Sequence, residues 1–305
     1  MSRLSEISFE PLEPYDGKLS CTVLRGERGS NAPDLPDITD KPFPAKPLIF
    51  SMNKKRVLTH NYVCFAINGY KEDLLQWINK TVIFFKESGF ILKRVLFDRV
   101  LNDNSRMYSY SLSRFFEYTN DNIDYKLLYP FIIHYIENAK VATTEHYGCF
   151  YNQEEEVLVI YFDETYADDN NLIEFMIKYI SIVLQNTQAV SGYFYTQQNE
   201  YTYFMGGANN SMNLFKECGL RWWNLYCNKD SIIGKFRHIY KMNLLSMNHL
   251  QIKIGDKLLP YWVKENNYGE IIKISPQNWL WTINMAKQTE IAKILYNQQL
   301  LVGVD

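Results

Sequence analysis

Cysteine is scarce in this sequence. There are five, Cys21, Cys64, Cys149, Cys218 and Cys227, odd in number, widely spaced and never arranged as a CxxC pair. That argues against a disulfide framework or a zinc knuckle, and the thiols read as reduced, several of them buried, in a cytoplasmic protein. Long apolar runs are missing as well. A membrane span needs roughly 20 consecutive apolar residues, and the most apolar stretches, such as Val82 to Phe85 and Val157 to Phe162, fall far short of that. The opening residues, Met-Ser-Arg-Leu-Ser-Glu-Ile-Ser-Phe-Glu-Pro, hold no apolar core of a secretory signal. Charge of one sign is not in excess either: the formal net charge is -2, which argues against a chain that coats nucleic acid. Finally, there is no GxxxxGK(S/T) phosphate loop, no GxGxxG after a strand, no HExxH and no GxSxG. Those absences remove the readily recognised nucleotide, metalloprotease and hydrolase classes but leave room for an enzyme of another kind.

What is present is an ordinary globular composition with one oddity. Hydrophobic residues make up 47% and charged residues 22% of the 305, which excludes wholesale disorder and allows a sizeable core. The aromatic fraction is 15%, with 23 Tyr and 18 Phe, and fits either an aromatic core or a recognition face. Seven of the ten prolines, Pro11, Pro14, Pro33, Pro36, Pro42, Pro44 and Pro47, fall at the start. Proline fixes φ and removes a donor, so residues 1–47 read as an extended arm with no helix and no central strand.

The body, 48–305, reads as α+β: a mixed, mainly antiparallel sheet with helices packed on it. Val57 to Asn68 predicts a strand, Lys71 to Ser88 a helix with Gly89 at its C-terminal cap, and Phe90 to Phe97 a strand. Asp124 to Asn138 predicts a helix interrupted at Pro130. Thr143 to Tyr151 and Val157 to Phe162 predict strands, Leu172 to Leu184 a helix entered through Asp168, Asp169 and Asn170, and Val190 to Thr196 a strand with Tyr201 to Met205 as its partner. Further on, Phe236 to Met242 predicts a strand and Ser246 to Ile254 a short helix. Leu258 to Lys264 and Glu270 to Ser275 predict a hairpin, and Glu290 to Gln298 a helix. Strand–helix–strand thus occurs twice, about 100 residues apart. Two related halves, 48–150 and 151–305, or simply shared α/β layering, explain that order.

Candidate chemistry is thin. His146 and Cys149, with Glu145 adjacent and His134 upstream, would make a nucleophile and base if helical. In a strand, residues three apart point to opposite faces, and the pair becomes a core cysteine and a satisfied histidine. The five histidines, His60, His134, His146, His238 and His249, lack zinc-site spacing. No metal, cofactor or catalytic residue is therefore assigned. Trp222-Trp223 with Arg221, Tyr226, Trp262, Trp279 and Trp281 would form a stacking platform only with interleaved basic residues, and Lys235, Arg237, Lys241 and Lys253 are too dispersed. Core packing is the preferred use. Acidic residues cluster at both ends of one predicted strand: Glu154, Glu155 and Glu156 before it, Asp163 and Glu164 after it. They read as solvated turns first, then as a partner-docking surface, and least of all as paired carboxylates for acid–base work or Mg²⁺.

Val157 to Phe162, the helix after it and the strand Val190-Ser191-Gly192-Tyr193-Phe194 resemble the strand, helix and "SGY" strand of the type VI secretion immunity family, the TsiV kind. Cys218-Gly219-Leu220 is similar to that family's aromatic-PG-hydrophobic step without its proline. Ile233 to Gly255, with Asn243-Leu244-Leu245 and Ile254-Gly255, resembles its strand and short helix ending in glycine. Ile271-Ile272-Lys273-Ile274-Ser275-Pro276 falls where the family places a strand and a proline. The resemblance spans roughly Val157 to Leu295. It implies a non-catalytic immunity protein that binds a cognate effector toxin, without nucleic acid or membrane insertion. Glu154, Glu155, Glu156, Asp163 and Glu164 would sit on the docking face. Self-association into a homo-oligomer stays open. Two other readings compete: an enzyme of an unrecognised family, and a scaffold component of a secretion or phage-like assembly, which the Pro-rich arm would suit.

Overall fold

The structure of the protein, a computed structural model, describes residues 62–101, 104–120, 128–136, 145–163, 165, 169–197 and 229–302. The Pro-rich arm, Tyr201 to Met205, Cys218-Gly219-Leu220 and the Trp222-Trp223 pair lie outside them. The architecture is α+β, a mainly antiparallel sheet with helices packed on it.

Ten strands form one sheet. They are β1 (Tyr62–Asn68), β2 (Arg94–Leu101), β3 (Asn104–Ser111), β4 (Leu128–Ile136), β5 (Glu145–Asn152), β6 (Val157–Asp163), β7 (Ser191–Gln197), β8 (Met242–Ser246), β11 (Gly269–Lys273) and β12 (Asn278–Ile283). The spatial order is β11-β12-β8-β7-β1-β6-β5-β4-β2-β3, with antiparallel pairing throughout. A separate small hairpin pairs β9 (Lys253–Ile254) with β10 (Lys257–Leu258). At the centre, β1 lies between β6 and β7. Every residue of β1 and β6 is buried. That is why Val157 to Phe162 reads as an unbroken apolar run: a strand covered on both faces has no polar side.

One face carries α1 (Leu74–Glu87) and α3 (Asp169–Val183). Asp73 caps α1 by accepting the amide hydrogens of Leu75 and Gln76 at 3.0 and 3.1 Å. Leu74, Trp77, Ile78, Thr81, Phe84 and Phe85 recur at helical spacing and are buried. The helix ends where Gly89 takes φ +85°, the left-handed conformation expected of a C-terminal glycine. The helices lock together through Tyr179, whose hydroxyl lies 3.1 Å from Trp77 Nε1 and 2.9 Å from Thr81 Oγ1. Beneath them Phe84, Phe85, Phe90, Tyr147, Phe162 and Phe175 meet ring to ring, Phe85 stacking on Phe162 at 6.0 Å. Among the described residues the aromatic excess is thus largely core. The opposite face gathers Tyr62, Cys64, Ala66, Val159, Tyr161, Tyr193, Tyr195 and Tyr240. A third cluster, with Phe236, Leu259, Trp262, Trp281, Ile291 and Leu295, belongs wholly to the C-terminal stretch.

Four expected elements take other forms. The described part of Asp124 to Asn138 is a strand, β4, instead of a helix. The β-branched and aromatic run Leu-Tyr-Pro-Phe-Ile-Ile-His-Tyr-Ile outweighs the helical spacing. Pro130 is tolerated because the β2–β4 register shifts there, between the pairs Phe97–Phe131 and Arg99–Leu128, and a bulge demands no donor. Phe236 to Met242 is irregular apart from an isolated bridge between Phe236 and Leu301, and the strand begins at Met242. Ser246 does cap a helix, but α4 (Met247–Leu250) lasts four residues before the β9–β10 hairpin. Leu258 to Lys264 holds α5 (Leu259–Glu265), with proline in its first turn, and Leu259, Trp262 and Val263 are buried at helical spacing. Consequently β11 pairs with β12 instead. Two further α-helices, α2 (Leu112–Asn120) and α6 (Gln288–Asn297), and two 3-10 turns, Lys229–Ile232 and Met285–Lys287, complete the described set.

Candidate functional site

The acidic residues singled out above sit at opposite ends of β6. Glu154, Glu155 and Glu156 form the β5–β6 turn, while Asp163 ends the strand, roughly 20 Å away at 3.3 Å per residue. Glu164 lies outside the described residues. The structure therefore joins the three turn residues and separates them from Asp163.

The turn is built by local hydrogen bonding. Asn152 Oδ1 accepts the amide hydrogens of Glu154 and Glu155 at 3.1 and 3.0 Å, and its Nδ2 donates to Glu155 Oε2 at 2.6 Å. Asparagine side chains favour such turns because they replace a backbone acceptor two residues on. Glu156 then adopts φ +61°, and its carbonyl accepts the Tyr70 amide at 2.9 Å. The carboxylate of Glu156 pairs with Lys71 Nζ at 2.7 Å. Behind the turn, Glu72 pairs with Lys80 and accepts from the Tyr70 hydroxyl. The Glu72 carbonyl accepts the Tyr151 hydroxyl at 2.9 Å and Gln153 Nε2 at 3.2 Å. Burial pushes the Tyr151 phenol up to about 12 and the Tyr70 phenol further, so both stay neutral donors.

The three carboxylates are consequently unequal. Glu154 is exposed. Glu155 is half-buried, and burial together with Glu154 raises it to about 7, so it is partly protonated at neutral pH. Glu156 is buried against a lysine. The turn presents far less negative charge than three adjacent glutamates suggest. Lys71 and Asn152, which contribute to that difference, carry no signal in the sequence beyond proximity.

Asp163 is fully buried. Its Oδ1 accepts the Thr165 amide and hydroxyl, both at 2.9 Å, which closes the turn after β6. Its Oδ2 lies 3.8 Å from His146 Nδ1, and Tyr135 stacks on the imidazole at 5.8 Å. The strand geometry separates His146 from Cys149, as alternation requires: Cys149 joins Tyr147 and Tyr151 on the helix-covered face. Burial raises the Cys149 thiol, as it does Cys64, and each thiol has a tyrosine partner, Tyr179 and Tyr195 respectively. A fully buried neutral thiol is a packing group, not a nucleophile. Trp262 and Trp281 are also core residues. Among the described residues no group of His, Cys, Asp and Glu is arranged to hold a metal ion, and no helix is long and apolar enough to cross a membrane.

No family model matches the chain, and no curated protein matches it. Among solved structures, a T6SS protein of Pseudomonas aeruginosa is similar over 80% of this chain and 76% of that one, at 7% identity and a TM-score of 0.46.

Proposed function

We propose that this chain is an immunity protein that binds and neutralises a cognate toxic effector of a bacterial secretion system, by direct protein–protein contact in the cytoplasm. The observation that carries the reading is the placement of the family-like segment. Its strand, helix and Ser191-Gly192-Tyr193 strand correspond to β6, α3 and β7, of which β6 and β7 flank β1 at the middle of the sheet and α3 covers one face. The glycine of that step has a packing reason: a Cβ at Gly192 would stand 2.6 Å from the Ala66 carbonyl oxygen and 3.0 Å from Leu244 Cβ. The central strands are covered on both faces, so a partner would dock at strand ends, turns and outer helix faces. On this reading the β5–β6 turn belongs to the docking surface, with Glu154 as its exposed charge. Exposed charge of this kind speeds association and sets specificity more than it adds affinity.

The test is to express the product of each neighbouring gene, and to co-express this chain with any product that is toxic alone. The expected result is restored growth and a stoichiometric complex that survives gel filtration. Absence of both rescue and complex would overturn the reading. Within a complex, Glu154→Lys should slow association at low salt and lose that effect as salt rises, because exposed charges are screened over about 8 Å at physiological ionic strength. An unchanged association rate would remove the turn from the interface.

A further inference from the structure

The sheet has one weak seam. β1 pairs with β6 and with β7 over seven residues each. β7 meets β8 through two pairs only, Gly192–Leu244 and Tyr193–Asn243. Beyond that seam β8, β12 and β11, with α4, α5 and α6, build most of their core from their own residues, while Met242, Leu244 and Leu280 pack into the main core and Asn278 bonds to Ala189 at 3.0 and 3.1 Å. The stretch from Lys235 to His249 bridges the two parts. On one side Arg237 Nη1 donates to the Tyr193 hydroxyl at 2.6 Å. On the other, the Phe236 amide donates to the Leu300 carbonyl at 2.8 Å, and Gln288 Nε2 donates to the Ile239 carbonyl at 2.8 Å.

Two buried histidines hold this stretch in shape. His249 is wholly buried at the third position of α4. Its Nδ1 accepts the Ser246 amide at 3.2 Å and lies 3.0 Å from Ser246 Oγ, and its Nε2 faces the Lys235 carbonyl at 3.0 Å. Those partners assign the proton to Nε2. His238 is 2% exposed, and its Nδ1 accepts the Ile239 amide at 2.6 Å. In both rings the nitrogen that an acid would protonate already receives a backbone N–H. A second proton there would set donor against donor in a dry site.

We propose that His238 and His249 form an acid-sensitive latch, which holds the C-terminal strands on the sheet while both rings are neutral and releases them when the rings are protonated. Burial opposes charge on both rings and outweighs the Lys235 and Ile239 carbonyls, which favour it. His249 faces the Lys235 carbonyl, the Ser246 amide and hydroxyl, and the Phe236 ring at 4.9 Å. His238 faces the Ile239 backbone, the Tyr240 ring at 5.8 Å and the neighbouring guanidinium of Arg237. No carboxylate lies within ion-pair distance of either ring among the described residues. Burial, and for His238 the Arg237 charge as well, lowers each histidine to about 4. Once the latch opens each ring returns to about 6.5. Opening therefore takes up protons between those values and is favoured as pH falls.

Hydrogen exchange of the full chain, followed from pH 7.5 to 4 and corrected for intrinsic exchange rates, tests this. In β8 and β12 the opening constant should rise about a hundredfold per pH unit below pH 6.5, tenfold for each histidine, while β1 and β6 stay protected. His249→Gln keeps an acceptor for the Ser246 amide without a titrating group, and should reduce the slope to about tenfold. Simultaneous loss of protection across all ten strands, or an unchanged slope in H249Q, would overturn the proposal. Should that variant fail to fold, NMR titration of the imidazoles in the native chain decides. Coupled titration and opening supports the latch, and titration of both rings near pH 6.5 without opening overturns it.

Discussion

The two sides of the β7–β8 seam are built on different plans. From β7 to β3 the sheet is held by long strands paired over most of their length, and its centre is buried on both faces under ring-to-ring aromatic packing. From β8 to β11 the elements are short, between four and ten residues for strands and helices of the sheet and its cover, and most of their core is fourteen buried side chains drawn from one stretch of sequence, with Met242, Leu244 and Leu280 joining the first core. Stability comes from burial in both. In the first it rests on contacts far apart in sequence, and in the second on neighbours within about 65 residues, between Phe236 and Leu301. Such local units open on their own more readily than a sheet centre does.

The sharpest way to break that contrast is to cut one large side chain from each core. Phe85 and Trp281 are both fully buried. Either change to alanine should cost about 4 kcal/mol, from lost burial and the cavity left behind. The consequences should differ. Trp281→Ala removes a ring packed on Phe236 and a donor to the Tyr268 carbonyl at 3.2 Å, and should lower hydrogen-exchange protection mainly in β8, β11 and β12. Phe85→Ala should lower it everywhere, because β8 depends on β7 for its place in the sheet. Equal, global losses in both variants would show a single cooperative unit.

The seam itself offers the next largest effect. A methyl group at Gly192 would press on the β1 backbone and on Leu244, so Gly192→Ala should cost about 3 kcal/mol, read as a drop in denaturant midpoint. Gly89 provides the control. Nothing stands within 4 Å of a Cβ there, so Gly89→Ala should cost only the left-handed backbone, about 1 kcal/mol.

The same contrast explains what was legible in the sequence. Leu74, Ile78 and Phe85 recur at helical steps, and Val157 to Phe162 is a bare apolar run, so α1 and β6 were readable from local pattern. In the C-terminal part, α5 has only seven residues and α4 four, too short for either period to declare itself. β4 was misread because a proline in an apolar run suggests an interrupted helix, whereas the bulge that accommodates Pro130 depends on its partner strand. At the candidate site, the acidic cluster itself was visible. The inequality of its members was not, since it arises from Lys71, Asn152 and the burial of Glu156, which only the folded chain brings together.

That inequality can be measured at Glu155, on the long-strand side of the seam. Its carboxyl is raised to about 7 by burial and by Glu154, against an ordinary value near 4.5. The folded chain therefore holds a proton between pH 4.5 and 7 that the unfolded chain releases. Its stabilising effect is complete below about pH 4.5 and is lost as pH rises through 7, the opposite direction to the buried histidines. Glu155→Gln keeps an acceptor for Asn152 Nδ2 and removes the charge. The variant should match the native chain near pH 4.5 and be more stable by about 1 kcal/mol at pH 8, a figure set below the full shift because the residue is half-buried. Urea midpoints at the two pH values give the comparison. A variant that matches the native chain at both pH values would place Glu155 in solvent and restore its charge to the turn.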